Sequence, residues 1–291
     1  MSIGRIQFSE KYMIKVYVFH TGRVRVDQAI PFGDKNPLAV TGLFRGQDKK
    51  LRLPVSAYLI ESPEGRILVD TGWDPKSGKK RGRFLGIMKA ISTPIAREDE
   101  GVDSKLAQLG LRPADIDEVF LSHLDLDHVD GIRLVRDAKR FRASAEEIKD
   151  AKENPFRYDK KEWSDVTIEP FEFQNTGIGP VGRSYDVFGN GSVVLVSTPG
   201  HSSGLFAVKI TEGGKYVILA GDSVYARRSW EEGLLPGLMA DREAAEKSLE
   251  WIRSCAQDPN CLGVFANHDP EIKEQVIEMG KNELSVEDRL A

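Results

Sequence analysis

The 291-residue sequence predicts an α/β protein. Short apolar, β-branched runs alternate with segments of helical period along most of its length, a pattern foreign to all-helical and all-β chains. Four of the five histidines fall in turn-like positions directly after such runs. In an α/β sheet those positions are the strand ends, where loops converge. An apolar fraction of 40 % supplies enough material for a large core, and the length fits one domain spanning 1–291.

The apolar runs place strands over 15–19, 55–61, 66–69, 118–121, 192–197, 216–220 and 262–266. Helices are expected around 102–109, 144–152, 241–255 and 270–279. Ser144 followed by Glu147 has the form of a capping box, in which each side chain satisfies a free backbone N–H of the other. Asp269-Pro270 reads as a cap followed by a first-turn proline, with Gly280 ending the last helix. Between strands, the stretch 73–103 begins with Lys76, Lys79, Lys80, Arg81 and Arg83 and then turns apolar at Phe84, Ile87 and Met88. A loop of that length inside a compact domain is the candidate substrate-covering insertion.

Several function classes are excluded. A net charge of −4 without a basic, aromatic-interleaved stripe argues against nucleic acid as a partner. No apolar run approaches the ~20 residues that span a bilayer, and the first 15 residues carry no export signal, so no membrane partner and a cytoplasmic location are expected. The two cysteines, Cys255 and Cys261, are read as reduced thiols without a function. The sequence leaves monomer or homodimer open.

The chemistry is concentrated at the strand ends. His123 follows Val119-Phe120-Leu121, His201 follows Val193 to Ser197, Asp222 follows Val217 to Ala220, His268 follows Val264-Phe265-Ala266, and Asp70 ends Ile67-Leu68-Val69. The stretch Ser122-His123-Leu124-Asp125-Leu126-Asp127-His128 is the densest. Residues two apart in an extended segment point the same way, so His123 and Asp125 can share one cation while Asp127 and His128 reach a second. Imidazole and carboxylate suit divalent zinc, manganese or iron, and no cysteine competes for a softer ion. His20 follows a strand too, but stands in no cluster and reads as structural.

Leu68-Val69-Asp70-Thr71-Gly72, H-L-D-L-D-H at 123–128, Pro199-Gly200-His201, Gly221-Asp222 and a late His268 together resemble the metallo-β-lactamase superfamily over roughly residues 55–270. Tyr225, three residues after Asp222, and His268-Asp269 make the chain most similar to its N-acyl-homoserine lactonase branch. The resemblance implies a four-layer αββα sandwich holding two divalent metal ions, zinc first, with manganese or iron as alternatives. One ion would be held by His123, Asp125 and His201, the other by Asp127, His128 and His268, with Asp222 bridging. Asp70 would orient the ligand loops, a role worth about 10–100-fold in affinity. The implied reaction opens a small-molecule lactone or related ester by attack of a metal-bridging hydroxide. Tyr225 would donate to the oxyanion, and Asp127 would carry a proton to the leaving oxygen. Trp230, Leu234, Leu235 and Met239, with Phe84, Ile87 and Met88, are candidates to line an acyl slot.

One position departs from that superfamily's H-x-H-x-D-H motif, since Asp125 stands where the second histidine belongs. Asp125, Asp127 and Asp222 would then set three negative charges against four positive ones, lowering Lewis acidity and favouring harder ions. The alternatives are another hydrolase of the same fold, such as a phosphodiesterase or thioesterase, a metal-binding sensor without turnover, or a redox di-iron protein. The flavodiiron reductases carry a carboxylate at this place, but with an added flavin domain that these 291 residues do not contain.

Overall fold

The structure is a computed structural model that describes residues 13–76 and 91–280. Among them, fourteen strands form two sheets. The first sheet contains β1 (Lys15–Asp27), β2 (Lys50–Ser62), β3 (Gly65–Val69), β4 (Ser92–Ile95), β5 (Glu118–Phe120), β6 (Phe141–Ser144), β7 (Ile168–Phe171) and β14 (Gln275–Glu278). Its order is β14-β1-β2-β3-β5-β6-β7, and β4 also pairs with β1. The second sheet contains β8 (Gln174–Asn175), β9 (Arg183–Asp186), β10 (Val193–Ser197), β11 (Phe206–Glu212), β12 (Lys215–Gly221) and β13 (Cys261–Ala266), in the order β13-β12-β11-β10-β9-β8. The helices are α1 (Ala29–Phe32), α2 (Val102–Gln108), α3 (Leu126–Val129), α4 (Ala145–Glu153), α5 (Arg227–Glu232) and α6 (Arg242–Gln257).

Period-2 alternation decides which face each strand presents. Tyr58, Ile60, Ile67 and Val69 of the first sheet meet Leu195, Val208, Val217 and Leu219 of the second in one buried cluster. The intervening Leu59 and Leu68 turn outward onto Val102 and Leu106 of α2 and onto Val129. Tyr216, Ile218 and Ala220 turn outward in the second sheet, onto Leu249 and Ile252 of α6. Because both sheets bury both faces, the result is the four-layer αββα sandwich that the resemblance implied.

β1 runs through a bulge between His20 and Arg23, with Gly22 at φ +120°. Its first half pairs with β14 and its second half with β4. A bulge bends a strand, and this one carries Val24 and Val26 toward the end of the sandwich where the histidines collect. In this corner His20 Nε2 donates to the Ile272 carbonyl at 2.9 Å and Nδ1 lies 3.3 Å from Ser56 Oγ, apart from the other four histidines.

Two expectations fail. The segment 270–279 is no helix but a turn followed by β14, paired antiparallel with Lys15–Val18 of β1. Asp269 caps no helix of its own segment; its Oδ1 accepts from Glu271 N at 2.9 Å as a local turn, its Oδ2 accepts from Arg227 N at 2.7 Å at the start of α5, and Ile277 and Met279 enter the core between the sheets. The Ser144 box is also only half formed. Ser144 Oγ accepts from Glu147 N at 3.1 Å, yet the Glu147 carboxylate points away from the helix start. It accepts instead from Leu124 N at 3.0 Å, Ser202 Oγ at 2.7 Å and Gly204 N at 3.1 Å.

Burial raises the pKa of both thiols, that of Cys261 to about 11, and both cysteines are free. No helix among the described residues is long and apolar enough to cross a membrane. Gly204 packs its backbone against the first turn of α4, and a Cβ there would collide with Glu147 N and Ser144 Oγ. Gly204→Ala is expected to destabilise the fold by about 1–3 kcal/mol, as overpacking does, measured as a lower urea midpoint at unchanged slope.

Candidate metal centre

Asp70 ends β3 in the left-handed region, φ +59°, unusual for a residue with a Cβ. That turn aims its buried carboxylate at the loop after β5. Oδ1 accepts from Ser122 N and Oδ2 from Ser122 Oγ, both at 2.7 Å, and His128 Nδ1 lies 2.8 Å from Oδ2. Thr71 adds two bonds to the His128 carbonyl, from N and Oγ1, each 2.9 Å. With Nδ1 engaged, His128 faces the centre with Nε2.

The other histidines repeat the arrangement. His268 Nδ1 lies 2.8 Å from the Pro54 carbonyl, His201 Nδ1 3.1 Å from the Leu238 carbonyl, and His123 Nδ1 3.1 Å from Ser122 Oγ. All four therefore direct Nε2 inward. Asp222 Oδ1 lies 3.2 Å from Nε2 of both His128 and His268, and its Oδ2 is 3.8 Å from His201 Nε2. Asp127, in the first turn of α3, places Oδ2 3.6 Å from His268 Nε2. Three groups have ligand atoms within 4.8 Å of one another: His123, Asp125 and His201; His123, His128 and Asp222; and Asp127, His128 and His268.

The donor set fits divalent cations. His123 Nε2, His128 Nε2 and Asp222 Oδ1 are buried without a hydrogen-bond partner, a costly state that an ion among them would relieve. Burial disfavours charged His128, yet Asp222 and Asp70 raise its pKa well above the usual value, and Asp222 raises His268 against the same burial.

Asp125 holds a partner that sequence reasoning missed. Arg157, in the loop after α4, grips it with Nε to Oδ1 and Nη2 to Oδ2, each at 2.8 Å. Nη1 donates to the His201 carbonyl at 2.8 Å, and Nη2 lies 3.1 Å from His201 Nε2. Burial opposes ionised Asp125, but Arg157 and the two histidines hold its carboxyl well below the usual range. The excess negative charge expected from Asp125 is thus met by a guanidinium, which corrects the three-against-four count. Glu147 was missed too; its carboxylate ties the His123 loop to the His201 loop.

Asp125, Asp127, Arg157, His201, Asp222 and His268 form the floor of a cavity of about 440 Å³ with apolar walls that include Val24, Val26, Ile30 and Leu53. Met239 lines it as expected, together with Ile91 and Ser92 at the start of β4. Trp230 and Leu235 pack on the second sheet instead, and Leu234 lines a separate groove. Phe84, Ile87 and Met88 lie outside the described residues. Tyr225 is buried against the centre, its ring stacked on His268 at 5.1 Å and edge-on to His201 at 6.0 Å. Burial, and then the charges of Asp222, Asp127 and Asp125, raise its pKa well above the usual value, so the phenol keeps its proton.

Comparison with known proteins places this geometry. The sequence pattern of the metallo-beta-lactamase superfamily matches residues 51–260. The N-acyl homoserine lactonase AttM of Azorhizobium caulinodans is 29 % identical over 241 residues, covering 78 % of this chain and 86 % of its own. A probable metallo-hydrolase of Mycobacterium tuberculosis, Rv2300c, is 29 % identical over 228 residues, covering 74 % and 71 %. Among solved structures, an N-acyl homoserine lactone hydrolase with N-hexanoyl-L-homoserine at its catalytic metal centre superposes with a TM-score of 0.71 at 26 % identity, covering 89 % of this chain and 95 % of its own.

Because neighbouring carboxylates raise the pKa of His128 and His268, uptake of Zn²⁺ by these imidazoles is expected to release protons and to strengthen as pH rises. Calorimetric titration in two buffers of different protonation enthalpy measures the release, and equal heats in both would contradict it.

Proposed function

From the premise that the chain belongs to the metallo-beta-lactamase superfamily, and is a metal-dependent hydrolase of ester bonds, we propose that it opens an acyl-homoserine lactone or a related lactone at a dinuclear centre. The convergence of His123, Asp125, Asp127, His128, His201, Asp222 and His268 at one end of an apolar cavity, five of them (Asp125, Asp127, His201, Asp222 and His268) lining its floor, carries this reading. His123, Asp125 and His201 would hold one ion, Asp127, His128 and His268 the other, with Asp222 within reach of both sets. Asp70 orients His128 and, through Ser122, His123. Bound divalent ions, zinc first and manganese or iron as alternatives, supply Lewis acidity and lower the pKa of water.

The protein's own groups divide the remaining steps. The walls formed by Val24, Val26 and Leu53 take the apolar acyl part, and a volume of about 440 Å³ lies within the ~300–1,000 Å³ typical of small-molecule sites. Tyr225, held protonated, donates to the substrate carbonyl oxygen and to the negative charge that grows on it. As water adds to the carbonyl carbon and the ring C–O bond breaks, Asp127 accepts the proton and passes it to the departing alkoxide. Ile91 and Ser92, from the 73–103 stretch, line the cavity beside these walls.

Plasma-emission metal analysis joined to a pH-stat assay with acyl-homoserine lactones tests the reading. Two ions per chain and base uptake on lactone addition are expected, with loss of both on chelation and recovery with Zn²⁺ or Mn²⁺; a reconstituted protein with neither refutes it. Tyr225→Phe is expected to lower kcat/KM by about 10²–10³ at unchanged metal content, the usual cost of one oxyanion donor.

A further inference from the structure

We infer that Asp125 and Arg157 act as one charge-neutral unit at the first metal-binding group, with the guanidinium restraining how tightly that group holds its ion. The inference rests on the metal-holding reading above and concerns Arg157, to which that reading gives no part.

The geometry is that of a paired fork. Two parallel N–H···O bonds of 2.8 Å fix the carboxylate plane, and a third, to the His201 carbonyl, fixes the guanidinium itself. Arg157 stacks its charge over the Tyr158 ring at 5.1 Å, which anchors it from behind. Bidentate pairing of this kind is rigid and survives partial burial, since the Asp125 and Arg157 side chains are 23 % and 27 % exposed. Each carboxylate oxygen keeps a second lone pair, so the pair does not block a cation.

Two effects of Arg157 on such a cation have the same sign. Its positive charge stands within hydrogen-bond distance of Asp125 Oδ2 and His201 Nε2, two of the three donors, and so repels the ion. Its Nη2 also donates to His201 Nε2, the nitrogen the ion needs, because His201 Nδ1 is committed to the Leu238 carbonyl. Among the described residues, Asp127, His128 and His268 pair with carboxylates and with one another but with no lysine or arginine. The two groups therefore differ in affinity, and the first is the weaker. A weakly neutralised ion stays a strong Lewis acid, which gives the restraint a use in the reaction.

Stepwise Zn²⁺ affinities, measured by competition with a chromophoric chelator, test the pair in the intact protein. Wild type is expected to take up two ions with separable affinities. Arg157→Met is expected to tighten the weaker step by at least about tenfold, from the loss of a charge a few ångströms from the ion. Arg157→Lys keeps the charge and is expected to stay within about threefold of wild type, although it loses the fork. Asp125→Asn moves the same step the other way, weakening it by at least about tenfold, so the prediction stands on two variants of opposite sign. Thermal melts of the metal-free proteins identify a variant that has not folded. A weaker step that is unchanged or loosened in folded Arg157→Met, or Arg157→Lys matching Arg157→Met, overturns the inference while leaving the metal-centre reading intact. A wild type that takes up no ion overturns both.

Discussion

Three donors converge on the Asp70 carboxylate, and the arrangement of the centre follows from that convergence. Ser122 N and Ser122 Oγ come from the loop after β5, His128 Nδ1 comes from α3 just beyond it, and Asp70 directly follows the neighbouring strand. The bonds form only if the backbone at Asp70 turns left-handed, a conformation that costs a non-glycine residue on the order of 1–3 kcal/mol and persists where its surroundings over-determine it. Here the surroundings are two strands paired in parallel, β3 and β5, so the strain is held by the sheet. Once Asp70 is placed, the tautomer and direction of His128 are placed with it, and those of His123 follow through Ser122.

A second buried carboxylate does for the loops what Asp70 does for the rings. Glu147 has no exposed surface and takes three donors, one from Leu124 and two from the loop after His201. The two sheets of the sandwich each supply part of the centre, and Glu147 joins those parts without touching the ligand atoms. A buried carboxyl group is tolerated where donors meet its oxygens, and here both oxygens are met.

Much of the site was legible because strand ends are legible. A run such as Val193-Val194-Leu195-Val196-Ser197 announces itself by composition, and the histidine four residues on then has a predictable place at the sheet edge. Arg157 left no such signal. An acid among ligands demands a counter-charge, but nothing local says which of 41 lysines and arginines comes to meet it. Glu147 was misread because Ser-x-x-Glu fits both a capping box and a long-range tie, and tertiary contacts decided between them. The segment after Asp269 was misread for a related reason. A cap residue, a proline and a closing glycine describe a helix well, yet β1 had an unpaired edge and Val276 and Ile277 fill it.

That last pairing also sets an order of assembly. β14 completes the first sheet by joining a strand that lies some 260 positions earlier in the chain, Lys15 opposite Glu278. Contacts of such sequence separation raise contact order and come late, after the local hairpin of β2 and β3 and the parallel crossover to β5. During synthesis, the first half of β1 therefore waits with one edge open until nearly the whole described chain has emerged, and the charged Lys15 along it is the kind of residue that keeps an open edge from pairing with the wrong chain.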